Sequence, residues 1–328
     1  MKQLLSHFKG VGDKIALIIA LFLIFVLFSL LNPNFISTTN IINILLAASL
    51  TGLVAIGMTY LIIGGQVDLS PGSIVAFSGV LAAVLSTDFN ISFPVILIII
   101  LVSGALVGVF NTLMVTKINL NPFIATLVTQ SIFRGFAFIL NDGRAVPVRD
   151  NAFTTFGTTR IMNIPLPVIL FVVLIIIFGI ILAKTTFGRS IYVVGGNKDA
   201  ARLAGLNPNS ITMKSYIITG VLCALGGLLL AARMGSGQPA ASQGLEFDAI
   251  TAVILGGVSF TGGVGTMFGT ILGVLILQSF NTGLIMVNVP TFWQFVARGV
   301  LLLLALTFDY VRKRTREKKL LEDSMKNA

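Results

Sequence analysis

Reactive and metal-binding side chains are scarce in this sequence of 328 residues. It contains one cysteine, Cys223, in an apolar run, and one histidine, His7, near the N-terminus. A single cysteine excludes an intrachain disulfide and a cysteine-ligated metal site, and it gives no indication of the redox compartment. A single histidine excludes a multi-histidine metal site and leaves little basis for a histidine general base. We therefore expect no catalytic residue, no metal and no cofactor.

Charged residues are also scarce, at 10% of the sequence against about 25% in ordinary soluble domains. Hydrophobic residues make up 55%. Runs of about 20 apolar residues recur, and each is long enough to cross a hydrocarbon core roughly 30 Å thick as a helix. The sequence predicts an all-α polytopic membrane protein, with residues 1–328 forming a single transmembrane domain.

Ten apolar segments are candidates for transmembrane helices. Segment 248–257 is short, and it is either a span with its flanks or a re-entrant half-helix. Because both termini are expected on the same side, the number of crossings is even, so ten fits and eight is the alternative. The segments are 15–31, 41–63, 73–86, 93–115, 122–140, 165–183, 212–232, 248–257, 267–287 and 292–308.

Basic residues indicate the orientation. The net charge of +10 is concentrated in short loops and tails beside the apolar segments, which favours membrane orientation over nucleic-acid binding as its explanation. Five basic residues lie in the polar segment 184–214 and seven in the tail 309–328, whereas segment 141–163 has three. We therefore expect both termini and segment 184–214 in the cytoplasm, with the first span retained as an anchor.

Two interruptions are expected to break transmembrane helices. Residues 64–72 contain glycines, a carboxylate and a proline, and residues 257–265 are rich in glycine. Irregular backbone at membrane depth is tolerated where it is buried in protein or lines a wet cavity. The segments that precede the breaks, 55–65 and 247–257, resemble each other, and paired interruptions point to a transport path. We assign to the path or the helix break Gly64, Gly65, Gln66, Asp68, Ser70, Gly256 and Gly257.

Ionisable residues within or beside the apolar segments need a partner or water, because isolated charges are costly in a membrane. Asp68 either caps the helix that begins near Pro71, or it holds the broken-helix region in shape or lines a polar cavity. Three arginines are expected to snorkel or to pair with two acids, and the sequence leaves the pairing open. These residues are Arg134, Arg233 and Arg298, with Glu246 and Asp248 as the acids.

A short helix is predicted within the polar segment 184–214, over residues 198–204. Asn197 is a good N-cap, Asp199 lies in the first turn, and Gly205 suits the position after the helix. A helix this short is not stable alone, so something must pack on it, either the membrane domain of this chain or another protein. The residues of the helix and its caps are Asn197, Lys198, Asp199, Ala200, Ala201, Arg202, Leu203, Ala204 and Gly205.

Energy coupling has two possible forms. The sequence has no G-x-x-x-x-G-K-[S/T] loop, so this chain cannot bind ATP through that motif. If ATP drives transport, another subunit binds the nucleotide. A proton- or sodium-coupled carrier is expected to have a relay or cage of polar groups in the membrane, for which Asp68 alone provides little. A stand-alone carrier or channel for a small polar solute remains the alternative, whereas an enzyme would need a nucleophile and base that the sequence does not offer.

The sequence closely resembles the permease subunits of bacterial ATP-binding-cassette importers for monosaccharides, of the ribose, arabinose and xylose type. The resemblance extends over nearly the whole chain. Gln66, Val67 and Pro71 depart from the usual residues of the first matching stretch. The matching stretches are GGQVDLSPGS (64–73), PFIATL (122–127), TFGR (186–189), GGNKDAARLAG (195–205), SGQP (236–239) and LGGVS (255–259).

The resemblance implies a permease of the bacterial inner membrane that transports a monosaccharide, such as the pentose ribose, and is driven by ATP hydrolysis on a separate subunit. It implies a homodimer around one pathway, a cytoplasmic ATPase with fused nucleotide-binding domains, and an extracytoplasmic sugar-binding protein. Membrane lipid is the surrounding partner, and nucleic acid is not one. Residues 197–205 resemble the coupling helix that docks on the ATPase.

Overall fold

The structure is a computed structural model that describes the backbone of residues 2–326 and the side chains of residues 14–315 and 318. Helices dominate this range. They are α1 (Lys2–Leu31), α2 (Thr38–Ile63), α3 (Pro71–Thr87), α4 (Phe93–Thr116), α5 (Pro122–Ile139), α6 (Asn151–Thr158), α7 (Leu166–Lys184), α8 (Thr186–Gly196), α9 (Lys198–Leu203), α10 (Pro208–Met234), α11 (Leu245–Leu255), α12 (Met267–Met286) and α13 (Thr291–Lys326).

Short strands and one 3-10 turn complete the secondary structure of the described range. The 3-10 turn, Pro33–Ile36, connects α1 to α2. Strand β1 (Val146–Pro147) pairs antiparallel with β4 (Ser236–Gly237), and β2 (Arg160–Ile161) pairs antiparallel with β3 (Ile164–Pro165). Both pairs involve the segment between α5 and α7, so they lie at one end of the helical bundle.

The predicted all-α polytopic membrane fold is confirmed. Across the described residues, eight helices are long and apolar enough to cross a membrane: α1, α2, α4, α5, α7, α10, α12 and α13. The other two predicted segments form the shorter helices α3, with 17 residues, and α11, with 11 residues. Ten crossings therefore require both short helices to cross, and these are the two helices that adjoin the predicted breaks.

Glycines allow close packing in the middle of the bundle. Helix α10 packs against α2, α3 and α4. A Cβ on Gly104 of α4 would overlap the backbone oxygen of Gly220 in α10, and Gly108 approaches the α10 backbone as closely. Gly104 and Gly108, four residues apart, therefore form a small-residue face through which α4 contacts α10. Helices α1 and α13, by contrast, bury few residues and lie at the periphery.

The polar segment 184–214 is more regular than the sequence indicated. Helix α8 precedes the predicted short helix, and Thr185 caps it by accepting a hydrogen bond from the Gly188 backbone nitrogen at 3.1 Å. Ile191 and Val194 bury its apolar face. The glycines at both ends of α8 suggest a loop in the sequence, and only its tertiary contacts show why this segment is helical.

Candidate functional site

Helix α9 is the short helix that the sequence predicted, and it ends one residue earlier, at Leu203. The Asn197 side-chain oxygen accepts hydrogen bonds from the backbone nitrogens of Asp199, at 3.0 Å, and Ala200, at 2.9 Å. At the other end, Ala204 is the C-cap, and the Gly205 nitrogen donates to the Arg202 oxygen at 3.0 Å. The helix boundaries are thus determined by the local sequence.

Helix α9 presents most of its surface outward. All six of its residues are described, and Ala201 is buried while the other five are exposed. Leu203 is 91% exposed. Arg202 and Asp199 form an ion pair at 3.3 Å, but both side chains are so exposed that it contributes little. The membrane domain of this chain therefore covers only one side of α9, which leaves Leu203 available to another protein.

Three glycine pairs meet beside α9, and we call this contact the glycine junction: Gly64, Gly65, Gly195, Gly196, Gly262 and Gly263. The Gly263 nitrogen donates to the Ile63 oxygen at 2.8 Å. A Cβ on Gly195 would overlap that same oxygen, and a Cβ on Gly262 would lie 2.7 Å from the Gly195 oxygen. The end of α2, the end of α8 and the loop between α11 and α12 therefore touch through their backbones.

Aromatic contacts fix α8 in this position. The ring of Phe187 stacks on Tyr60 of α2 with centroids 6.0 Å apart. The Lys214 ammonium lies over the same Phe187 ring, 5.7 Å from its centroid. The Tyr192 hydroxyl donates to the Gly265 oxygen at 2.9 Å. Burial raises the pKa of Tyr192 above the usual tyrosine range, so this hydroxyl stays protonated and able to donate well beyond neutral pH. Helix α8 is thus attached to α2 and to the loop before α12.

The two predicted helix breaks have the same backbone geometry. At the end of α2, the Gly65 nitrogen donates to the Ile62 oxygen and the Gln66 nitrogen to the Leu61 oxygen. At the end of α11, Gly257 and Val258 donate in the same pattern to Ile254 and Val253. Gly65 and Gly257 have φ angles of 72° and 83°, which glycine adopts without strain. The sequence similarity between 55–65 and 247–257 therefore corresponds to one shared C-terminal motif.

Asp68 lies in a buried polar cluster after the first break. It is 1% exposed, and its Oδ1 accepts hydrogen bonds from the Ser70 hydroxyl and from the Ser70 nitrogen, the latter at 2.8 Å. The Asn111 amide of α4 donates to the Ser70 hydroxyl at 3.1 Å and approaches Asp68 Oδ2 at 3.5 Å. Thr129 of α5 donates to Asn111. Ser70, and not Asp68, is the N-cap of α3. The Asp68 carboxylate instead holds the turn that leads into α3, through the nitrogen and hydroxyl of Ser70.

A second buried acid connects α11 to α5. Glu246 is 2% exposed, and its Oε1 accepts a hydrogen bond from the Gln130 amide at 3.0 Å. A Cβ on Gly72, at the start of α3, would overlap Glu246 Oε2. The start of α3, after the first break, and the start of α11 therefore meet inside the bundle. The sequence left the partners of Asn111 and Gln130 open, because an amide in an apolar helix gives no local signal of its partner.

The arginines within the spans have different partners. Arg298 pairs with Asp248 at 3.7 Å. Arg134 donates to the backbone oxygens of Pro239 and Ala241, at 2.7 and 2.8 Å, so its closest partners are carbonyl groups and not a carboxylate. Arg233 is exposed at the end of α10. Arg134 thus holds the segment between α10 and α11 against α5, and Arg298 holds α11 against α13.

The assigned path residues occupy three places. Gly64 and Gly65 belong to the glycine junction, and Asp68 and Ser70 belong to the polar cluster. Gly256 and Gly257 lie at the end of α11, where Gly256 touches Gly269 of α12. Gln66 is half-buried between the first two, and its side-chain oxygen has no hydrogen-bond partner among the described residues. Within that same part of the chain, no cluster of acids, histidines and cysteines is suited to a metal ion.

Comparison with known proteins gives concordant matches. Residues 40–306 match a family described as the permease component of the branched-chain amino acid transport system. The ribose import permease protein RbsC of Bacillus subtilis (strain 168) is 40% identical over 309 residues, which are 92% of this chain and 94% of the relative. The L-arabinose ABC transporter permease protein AraH of Azospirillum brasilense is 38% identical over 306 residues, covering 93% and 89%.

A third relative, the L-arabinose transport system permease protein AraH of Escherichia coli (strain K12), is 36% identical over 321 residues and covers 94% of both chains. No solved structure matches this chain. The three relatives align over nearly their full length, so the similarity includes both helix breaks, α8 and α9.

Proposed function

This chain belongs to the family of permease components of branched-chain amino acid transport systems, and from that membership we propose that it is the permease subunit of an ATP-binding-cassette importer for a monosaccharide, a pentose such as ribose. The observation that carries the proposal is the 36–40% identity to ribose and arabinose permeases over most of the chain. The family name mentions branched-chain amino acids, but these full-length relatives are named for sugars.

The chain is a multi-pass membrane transport component and not an enzyme. ATP hydrolysis then requires a separate subunit, which we propose to be a cytoplasmic ATPase with fused nucleotide-binding domains. An extracytoplasmic sugar-binding protein would deliver the sugar on the opposite face. The rival function is a stand-alone secondary carrier or channel. It has less support, because the relatives of this chain include a protein named as an ABC transporter permease.

We propose that both termini, α9 and the glycine junction lie in the cytoplasm, on the inner side of the bacterial inner membrane. Support comes from contacts that place segment 184–214 and the C-terminal helix α13 at the same face of the molecule. The ends of α2 and α8 meet the loop between α11 and α12, and Asp309 of α13 accepts a hydrogen bond from the Phe260 nitrogen of that loop at 3.0 Å. The basic segment 184–214 and the basic tail therefore emerge on the same side, as the positive-inside rule requires.

A homodimer around one pathway is proposed for the functional permease, with α5 near the pathway. Of the eight long candidate spans, α5 is the least apolar. Its exposed residues include Ser131 and Gly135. Its Gln130 donates to the buried Glu246, and its Thr129 donates to Asn111, which approaches Asp68. A helix of this composition is poorly matched to lipid, so contact with a second copy or with a hydrated pathway suits it better.

Helix α9 is the proposed coupling helix, formed by Asn197, Lys198, Asp199, Ala200, Ala201, Arg202, Leu203, Ala204 and Gly205. Coupling needs a contact that moves together with the pathway. The glycine junction provides such a connection, because Gly195 and Gly196 immediately precede α9 and touch the ends of both helix breaks. Movement of α9 by the ATPase would then displace α8 and both breaks.

Purification tests the proposed function directly. When the chain is expressed with its neighbouring transport genes and isolated from the membrane, we expect an ATPase to co-purify, and we expect ribose together with its binding protein to stimulate ATP hydrolysis. Uptake of sugar by this chain alone, in vesicles without ATP, would contradict the proposal and support the secondary carrier.

A negative charge introduced at Arg202 or Leu203 of α9 should uncouple ATP hydrolysis from sugar uptake. We expect Arg202→Glu and Leu203→Asp each to lower sugar uptake by at least tenfold in reconstituted vesicles, while the permease still inserts, because both side chains are exposed and contribute little to folding. Losing an interface anchor costs about 2 kcal/mol or more, which corresponds to roughly 30-fold.

Met162→Asp is the matched control for these variants. Met162 is 93% exposed and lies between β2 and β3, just before α7. Helix α7 has 19 residues, so it separates this hairpin from the α9 side by about 28 Å. Uptake should remain near the wild-type level in the control, and wild-type uptake in both α9 variants would remove the coupling assignment.

A further inference from the structure

The loop between α11 and α12, residues 256–266, forms a fixed turn beside α9. Its Ser259 nitrogen donates to the Val264 oxygen at 3.0 Å, and its Gly262 nitrogen donates to the Ser259 oxygen at 3.0 Å. Asp309 of α13 accepts from the Phe260 nitrogen, and Gly263 donates to the end of α2. The backbone is thus anchored on two sides, so the direction of its exposed side chains is defined.

Apolar side chains project from this anchored turn. Phe260 is 41% exposed and Val264 is 38% exposed, and Thr261 between them is also exposed. Gly196 touches Gly263. Helix α9 begins two residues later, at Lys198, and two peptide units span at most about 7 Å between the Cα atoms of Gly196 and Lys198. The start of α9 therefore lies close to the loop that carries Phe260, and Phe260 and Leu203 are exposed apolar residues of these two neighbouring elements.

Exposed basic residues lie on α9 and on helices α10 and α13, and one of them, Arg202, is paired with the exposed Asp199. Lys198 and Arg202 of α9 are exposed, as are Lys214 of α10 and Arg314 of α13. Exposed apolar residues together with exposed basic residues fit a partner whose surface has an apolar recess and acidic edges. Such a surface also fits an anionic lipid headgroup region, and the experiment below distinguishes the two.

The size of α9 favours a protein partner that covers both elements. A stable interface buries about 800 Å² on each partner. Six helical residues form a cylinder about 9 Å long and about 10 Å wide, so one face of α9 supplies only a small part of that area. An ATPase that docks on α9 needs neighbouring surface, and the loop 256–266 is continuous with α9 through the glycine junction.

We propose that the loop 256–266 is a second contact for the ATPase subunit, with Phe260 as its apolar anchor. The proposal rests on the proposed function, in which α9 docks on that ATPase. The ATPase would then act at two points, on α8 through α9 and directly on the connection between α11 and α12. Because the glycine junction joins these points to the end of α2, both helix breaks would move as one unit.

Site-specific photocrosslinking of the assembled complex tests the contact. A benzophenone amino acid is placed singly at Phe260, Leu203 or Met162, and the ATPase is identified in crosslinked products by its nucleotide-binding-loop peptide. We expect crosslinks to the ATPase from positions 260 and 203 and none from position 162. Crosslinking from 203 alone, or only lipid adducts at 260, would overturn the second contact and leave the proposed function intact. Crosslinking from neither position would overturn both.

Substitution of Phe260 tests whether it anchors the ATPase. We expect Phe260→Asp to lower the amount of ATPase retained on the purified permease by at least fivefold, while Phe260→Leu retains most of it. The side chain is exposed, so neither change should prevent insertion, and the yield of monodisperse permease in detergent provides that check. Equal retention by the aspartate variant and the wild type would overturn the anchoring role.

Discussion

Replacing Gly195 with alanine should lower sugar uptake by at least tenfold. The new methyl group would overlap the Ile63 oxygen and would lie 2.8 Å from the Gly263 nitrogen, which donates to that same oxygen. These are backbone atoms, so they cannot rotate aside as a flexible side chain would. Overpacking of this kind typically costs about 1–3 kcal/mol, and here it must separate α8 from the end of α2. Uptake by reconstituted permease–ATPase complexes measures the effect.

Gly196→Ala is the matched control for that variant. The structure shows no described atom within 4 Å of a Cβ at Gly196, and this glycine has no positive φ angle. Alanine in place of glycine within a helix is favourable by roughly 0.5–1 kcal/mol, so uptake and thermal stability should be unchanged or slightly higher. If Gly195→Ala transports as well as Gly196→Ala, close backbone contact at the glycine junction is not required.

Asp68→Ala should destabilise the permease by about 2–4 kcal/mol and greatly reduce uptake. The Ser70 nitrogen and hydroxyl both donate to the Asp68 carboxylate, and Ser70 is fully buried. Removing the acceptor leaves these donors without their partner, at a cost of about 1–3 kcal/mol for a buried group. Thermal unfolding in detergent, followed beside uptake, provides the measurement.

Asp68→Asn distinguishes the two roles considered for Asp68. Asparagine keeps an oxygen that can accept both Ser70 bonds, and it loses mainly the contact with the Asn111 amide, which is 3.5 Å from Asp68 Oδ2. We therefore expect near-wild-type stability and only a small loss of uptake. An equal, large loss in both variants would show that the negative charge itself is needed, as a polar cavity would require. It would contradict a role limited to accepting the two hydrogen bonds from Ser70.

Sequence patterns predicted the helices well because the relevant signals are local. All ten predicted segments contain a helix, and the caps of α9 lie where Asn197 and Gly205 indicated. Composition and span length were sufficient for the fold class, since no other architecture buries this much apolar sequence in a membrane. The lengths of α3 and α11 were less predictable, because tertiary contacts determine where a broken helix resumes.

The glycines of segment 184–214 illustrate what sequence patterns miss. In the sequence, Gly195 and Gly196 suggest a flexible connection, and α8 was not predicted at all. In the structure, Gly195 provides a close backbone contact with Ile63, while Gly196 meets Gly263. A pair of glycines in a sequence is therefore compatible with either a flexible linker or a tightly packed contact, and the segments that pack against the pair determine which one forms.

The sequence by itself determined that this protein is an all-α membrane permease, with two helix breaks and a capped short helix in a basic segment. Those features depend on hydrophobic runs, charge bias and capping residues within a few positions of each other. Only the tertiary structure brought Gly65, Gly195 and Gly262 together beside α9, and only it joined Asp68 to Asn111 and Glu246 to Gln130. These contacts connect segments far apart in the chain, so their partners are set by the packing of the whole bundle.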